Sequence, residues 1–180
     1  MLGGMTSPPD QSDPRATRPY MPGYGVLGPA EGSGLLAWQW AHDRLVASHD
    51  YWLASTRPDG RPHLMPVWGV WDGAALFFSS ANGSRKAQNL RARPRCSVAT
   101  DDAYRPVVLE GDARVVTDAA RRKNALDLEN AKYGTDYGIE MLDPDRNTWF
   151  ELRPVWAFAL DEDDFTGSPT RWSFVGDADA

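Results

Sequence analysis

One hundred and eighty residues suit a single domain with its own core and are cramped for two. With 42% hydrophobic and 24% charged residues, wholesale disorder is excluded. Nineteen basic against 25 acidic side chains leave a formal charge of −6, the wrong sign for a general nucleic-acid binder. No apolar run approaches the ~18 residues of a membrane span, and no leader-like order of charged, apolar and small residues opens the chain. The single cysteine, Cys96, leaves no internal disulfide and no multi-cysteine metal cage. The expected location is the cytoplasm, with neither nucleic acid nor membrane as partner.

The first 34 residues hold 13 of the 30 Pro and Gly residues and show no apolar period. Residues 1–34 are therefore expected to be a disordered or loosely draped tail ahead of one domain at 35–176. Over residues 35–48, Leu35, Leu36, Trp38, Ala41, Leu45 and Val46 recur at helical spacing behind Gly34 and predict an amphipathic helix. Strand-like stretches at 51–57, 61–71 and 74–80 follow, separated by Asp59-Gly60 and Asp72-Gly73. Two strand–DG–strand units in succession predict an antiparallel meander. Pro62 and Pro66 remove ladder donors from the second strand, which is expected to be an edge or to carry a bulge.

Asn82-Gly83-Ser84 opens a short helix at 85–93, stopped before Pro94. Strands are expected at 96–100 and at 106–116, with Gly111 at a bulge or close backbone approach. A charged helix at 118–132 precedes one long or two short strands at 149–160 around Pro154. An acidic turn at 161–164 and a short strand at 170–174 close the pattern. Six or so strands with helices outside them predict a mainly β protein, a small antiparallel barrel. Trp38, Trp52, Trp149 and Cys96 are expected inside it.

The charge distribution is uneven. Residues 73–100 contain no Asp or Glu, yet hold Arg85, Lys86, Arg91, Arg93 and Arg95. Arg91 and Arg93 read as a solvated helix face. Arg85 and Lys86 stand just after Gly83-Ser84 at a helix start, where first-turn amides lack partners and the helix dipole is positive. Glycine permits close approach of an anion, the Ser84 hydroxyl adds a neutral donor, and the Arg-Lys pair adds two charged ones. That is a phosphate site on one turn, set against the plainer reading of a capped helix with solvated bases. Ser79 and Ser80 end the preceding strand and can reach polar edges of the same ligand. Neither a Walker loop nor a dinucleotide glycine fingerprint occurs. His63 on the 61–71 strand faces either a ligand or solvent.

The stretch LFFSSANGSRKAQNLRARPRCSVATDDAYRPVVLEGDARVV, with RPDGRPHLMPVWGVWDGA before it and TRWSF after it, resembles the pyridoxamine 5′-phosphate oxidase-like split-barrel superfamily, in its flavin and deazaflavin oxidoreductase branch. The resemblance implies a six-stranded antiparallel split β-barrel of the FMN-binding type, a homodimer, and FMN or the deazaflavin F420 held at the dimer interface. It implies that Ser84, Arg85 and Lys86 hold the cofactor phosphate, and that Ser79 and Ser80 contact its ribityl chain or ring edge. Met65, Pro66, Val67 and Trp68 would pass along the ring. Trp172 would wall the pocket or the interface, and His63 would meet a small-molecule substrate. Pro106 stands where true pyridoxamine phosphate oxidases carry a glutamine, and their C-terminal arginine-tryptophan substrate motif is not matched. The implied activity is therefore that of an F420- or FMN-dependent oxidoreductase acting on a small organic molecule, with a non-catalytic carrier of flavin, deazaflavin or haem as the alternative. No residue is singled out as a nucleophile or metal ligand, since a bound ring would carry the hydride chemistry.

Overall fold

Alternation of buried and exposed side chains along short β-rich runs dictates a sheet, and the computed structural model, which describes residues 14–174, shows one. Its strands are β1 (Arg15–Thr17), β2 (Tyr51–Thr56), β3 (Pro62–Val67), β4 (Val70–Trp71), β5 (Leu76–Ala81), β6 (Arg95–Thr100), β7 (Val107–Val115), β8 (Asn147–Ala159) and β9 (Thr170–Ser173). Three α-helices accompany them: α1 (Trp38–Ala47), α2 (Arg85–Ala92) and α3 (Ala119–Tyr133).

The sheet runs β1-β9-β8-β7-β6-β2-β3, with β5 paired to β8 and β4 to β5, and every pairing is antiparallel. The six longer strands β2, β3, β5, β6, β7 and β8 make the wall of an open, split barrel, and β1, β4 and β9 add three short strands. β8 is the hub. Its first half, residues 147–152, pairs with β5 and its second half, 156–159, with β9, while β7 runs along both. The register shifts between Glu110 and Gly111, opposite the point where β8 changes partner.

The main core lies inside this wall. Leu45, Tyr51, Leu53, Leu76, Phe78, Leu90, Val98, Leu109, Phe150, Leu152 and Trp172 are all but inaccessible. α2 plugs the barrel with Ala87 and Leu90. A second cluster on the opposite face of β5 and β8 joins Val70, Phe77 and Trp149 to Ala125 and Leu126 of α3.

Four expectations are corrected. Residues 61–71 are not one strand: the chain leaves β2 after Val67 and joins β5 at Val70. A Cβ at the intervening Gly69 would lie 3.1 Å from the Phe77 carbonyl oxygen, so only a bare backbone turns there comfortably. Trp52 is not core. It is 45% exposed, because Tyr51 and Leu53 take the inward positions of β2. The amphipathic helix begins at Trp38 rather than Leu35.

The described part of the expected tail is not loose. Residues 15–17 pair with 171–173, and the Arg18 guanidinium donates to the carbonyls of Gly28, Glu31, Gly167 and Pro169 at 2.6–3.2 Å. Residues 1–13 of that tail, and 175–176 of the expected domain, lie outside the described residues.

Candidate functional site

α2 starts where the sequence says it should. Ser84 is its N-cap: the hydroxyl accepts from the Ala87 amide at 3.2 Å and stands 2.7 Å from the Ser80 hydroxyl. The next two amides, of Arg85 and Lys86, have no partner among the described residues, and neither do the two cationic side chains. Arg85 is exposed and Lys86 half-buried. A Cβ placed on Gly83 would meet nothing within 4 Å, so the approach to this turn is open. Two unpartnered amides, one guanidinium and one ammonium with no carboxylate to neutralise them form a donor set that fits a phosphate.

Among the described residues β3 is the edge strand of the sheet, paired with β2 alone. Residues directly opposite in an antiparallel pair share a face, so His63, Met65 and Val67 share the inward face of Ser55, Leu53 and Tyr51. Val67 is buried, yet Met65 is 43% exposed: the inner face of β3 is left uncovered along its middle. Pro66 and Leu64 face outward beside Trp52 and Ala54. The Asn89 side-chain amide of α2 donates to Ser55 Oγ at 3.1 Å, which ties the helix to the β2–β3 hairpin.

His63 feels the same neighbourhood. Burial first, then the charges of Arg57, Lys86 and Arg85, hold its imidazole below the ordinary histidine range. Its Nδ1 and the Oδ1 of fully buried Asn89 are both buried without a partner among the described residues. Two unpaired polar atoms beside two unpaired cations mark a place where a polar ligand would complete the hydrogen bonding.

Ser80 meets Ser84 at the start of α2, the charges of Arg85 and Lys86 reach His63, and Met65 shares the face of β3 with His63, with Trp68 just beyond the other end of that strand. The structure does not bring Ser79 to this group. Neighbouring residues on a strand face opposite ways, and Ser79 lies opposite Trp149 on the face of Phe77, away from Ser84. Nor does it bring Trp172, which is 1% exposed in the main core, edge-on to Trp38 with centroids 5.4 Å apart. The strand phase that buries Thr170 buries Trp172 too, so its ring reaches neither a pocket nor an interface. Cys96 is buried as expected, and that burial pushes its thiol up to about 12, which removes it as a nucleophile.

Two residues near β3 escape the sequence reading. Tyr133 stacks on Trp68 with centroids 4.2 Å apart and planes 5° apart, and Lys132 and Tyr133 both bond the Gly69 peptide. Two clefts, of about 300 and 410 Å³, lie at the β7–α3 junction, one lined by residues including Arg121 and Glu151, the other by residues including Arg91 and Arg122. Neither includes the α2 turn or β3. Among the described residues no cluster of His, Cys, Asp and Glu is arranged to hold a metal ion, and no helix is long and apolar enough to cross a membrane.

Comparison with known proteins agrees with this fold. A family model described as pyridoxamine 5′-phosphate oxidase matches residues 41–161. An F420 reductase is similar in structure, at 24% identity and a TM-score of 0.53 over 64% of this chain and 94% of that one. A conserved hypothetical protein from Mycobacterium tuberculosis is similar at 24% identity and a TM-score of 0.62, over 72% and 87% of the two chains. A NimC/NimA family protein from Clostridium acetobutylicum is similar at 13% identity and a TM-score of 0.59, over 76% and 92%. At these identities the likeness is one of fold. No curated protein matches the sequence significantly.

Proposed function

Because this chain belongs to the pyridoxamine 5′-phosphate oxidase family, we propose that it is an oxidoreductase that binds FMN or F420 along β3 and acts on a small organic molecule. The observation that carries this reading is the uncompensated α2 turn beside the uncovered face of β3. The bound ring would supply hydride transfer, and everything else falls to the protein. The Arg85 and Lys86 side chains and amides hold the phosphate, and the Ser80–Ser84 hydroxyl pair fixes that turn. Met65, Pro66, Val67 and Trp68 offer a strand edge and one indole to the ring, packing a flat apolar surface against it. His63, neutral near pH 7 because its surroundings disfavour the imidazolium, offers a donor or acceptor to the ring edge or the substrate.

The site is open on one side in a single chain. Trp52, Leu64, Met65 and Trp68 all leave large apolar surface exposed around β3. In the proposed assembly a second copy of the chain covers this edge and completes the pocket, as a homodimer with the cofactor between subunits.

The test is titration of FMN and of F420 into the purified chain, followed by tryptophan fluorescence. Binding of one cofactor with a Kd below ~10 μM is expected, and Lys86→Ala should weaken it by about 1.5–3 kcal/mol, roughly ten- to hundredfold. If neither cofactor binds in that range, or Lys86→Ala leaves the affinity unchanged, the assignment of the turn is wrong. Turnover of the reduced cofactor with a substrate panel then separates an enzyme from a carrier.

A further inference from the structure

The Gly69 peptide lies in the break between β3 and β4, outside the sheet ladder. Both of its polar groups are held by side chains from the last turn of α3. Its N–H donates to Tyr133 Oη at 2.9 Å, and its carbonyl accepts from Lys132 Nζ at 2.8 Å. The Tyr133 hydroxyl donates in turn to the His49 carbonyl at 2.6 Å. Lys132 also donates to Tyr51 Oη at 3.1 Å, and its ammonium stands 4.6 Å over the Tyr51 ring and 5.2 Å from the Tyr133 centroid. Trp68, the residue before Gly69, has one face of its indole covered by the parallel Tyr133 ring and remains 40% exposed.

This is a costly way to tie down a loop. A half-buried ammonium loses hydration that an apolar side chain would not have had, and an indole could be tucked into the core instead of being braced at the surface. We propose that Lys132 and Tyr133 are positioning residues, which fix the Gly69 peptide and the Trp68 indole so that the open face of Trp68 stands ready as a wall for the planar ring lying along β3. The inference rests on the cofactor reading above and adds to it the parts of the chain, on α3, that preorganise the ring-binding edge. Preorganisation lowers the ordering cost of binding and so acts on affinity without touching the ligand. Groups that face Lys132 from the neighbouring elements are Tyr51 of β2, Asp50 just before it, Asp101 after β6, and Glu129 and Tyr133 of its own helix.

The experiment measures the Kd of FMN and of F420 for the wild-type chain, Tyr133→Phe, Lys132→Met, Lys132→Arg, Trp68→Phe and the double variant Trp68→Phe/Tyr133→Phe. Exchange of the Gly69 amide hydrogen is followed by NMR. In Tyr133→Phe that exchange should be at least ~10-fold faster, since the amide loses its acceptor. Tyr133→Phe and Lys132→Met should each raise the Kd about 5- to 20-fold, and Lys132→Arg should restore most of the loss. In the Trp68→Phe background Tyr133→Phe should cost little more, because the two act through one platform. A purely structural tie would speed the exchange yet leave the Kd unchanged, or give the same penalty with and without Trp68, and either result overturns the proposal. Should Tyr133→Phe fail to fold, Lys132→Met against Lys132→Arg decides it: unchanged Kd in both overturns it, and loss with recovery supports it. Failure of the wild-type chain to bind either cofactor overturns the cofactor reading itself, whereas tight wild-type binding with indifferent variants overturns this inference alone.

Discussion

Gly111 sits at the register shift of β7, facing the stretch where β8 passes from β5 to β9. A Cβ there would stand 2.4 Å from the Arg153 carbonyl oxygen and 3.1 Å from a Leu152 methyl. Backbone cannot yield as a side-chain tip can, so Gly111→Ala should destabilise the fold by about 2–3 kcal/mol, read as a lower denaturant midpoint; an unchanged midpoint would show that the strands slide past the added methyl. The glycine was legible in the sequence because a lone Gly in an alternating strand has few other uses. Trp52 and Trp172 were not. Both are aromatic residues on short strands, one expected in the core and found outside, the other expected at a ligand or an interface and found in the core. Composition marks such residues as sticky, but only the phase of the strand decides which way they face. That phase is set by remote pairings, Trp52 with Pro66 and Ala99, Trp172 with Ala157 and Ala16.

Among the elements, α2 was the most legible. An acid-free window, a Gly-Ser entry and an Arg-Lys pair are all local signals, and the N-cap and unpaired cations follow from them directly. α3 was legible as a charged helix, but its grip on Gly69 was not, because the bond joins residues 64 apart in the chain. α3 also predicts an unusual pH response. Burial pushes the Glu129 carboxyl up from 4.5 to about 7, so between those values the folded protein keeps a proton that the unfolded chain has released, and stability falls as pH rises. Burial pulls the Lys132 ammonium down from 10.5 to about 8, so above pH 8 the unfolded chain binds more protons, and stability rises again towards 10.5. Thermal stability should therefore pass through a trough at pH 7–8. Glu129→Gln should fill the acid side of the trough and Lys132→Met should flatten its alkaline side, each by about 1–2 kcal/mol once solvent screening is allowed for. A melting temperature that is level from pH 5 to 10 would contradict both assignments.

At the level of the molecule, the largest departure from the sequence reading is the segment before α1. Proline and glycine remove regular structure, and by composition alone residues 14–34 belong to no fold. One guanidinium changes that. Arg18 satisfies four carbonyls, two within its own segment and two about 150 residues away, and Asp164 accepts from the Ser33 amide at 2.9 Å to close the other end. Arg18→Ala should leave the Gly167 and Pro169 carbonyls without their donor and strip the Gly28 and Glu31 carbonyls of a second one, loosen the segment, and expose the already accessible Tyr20 and Tyr24 to faster chymotryptic cleavage, with a stability loss of about 1–3 kcal/mol. Cleavage at the wild-type rate would show that β1 and the Asp164–Ser33 bond anchor the segment without Arg18.

The central place of β8 has a consequence during synthesis. β5 and β7 leave the ribosome well before residues 147–159 do, and each waits for that strand to be paired along an edge. The nascent chain thus carries two sticky borders at once and no means of closing either. The pairings of β8 with β5, β7 and β9 can form only once residues 147–159 are free of the ribosome, so the sheet closes late and through this one strand.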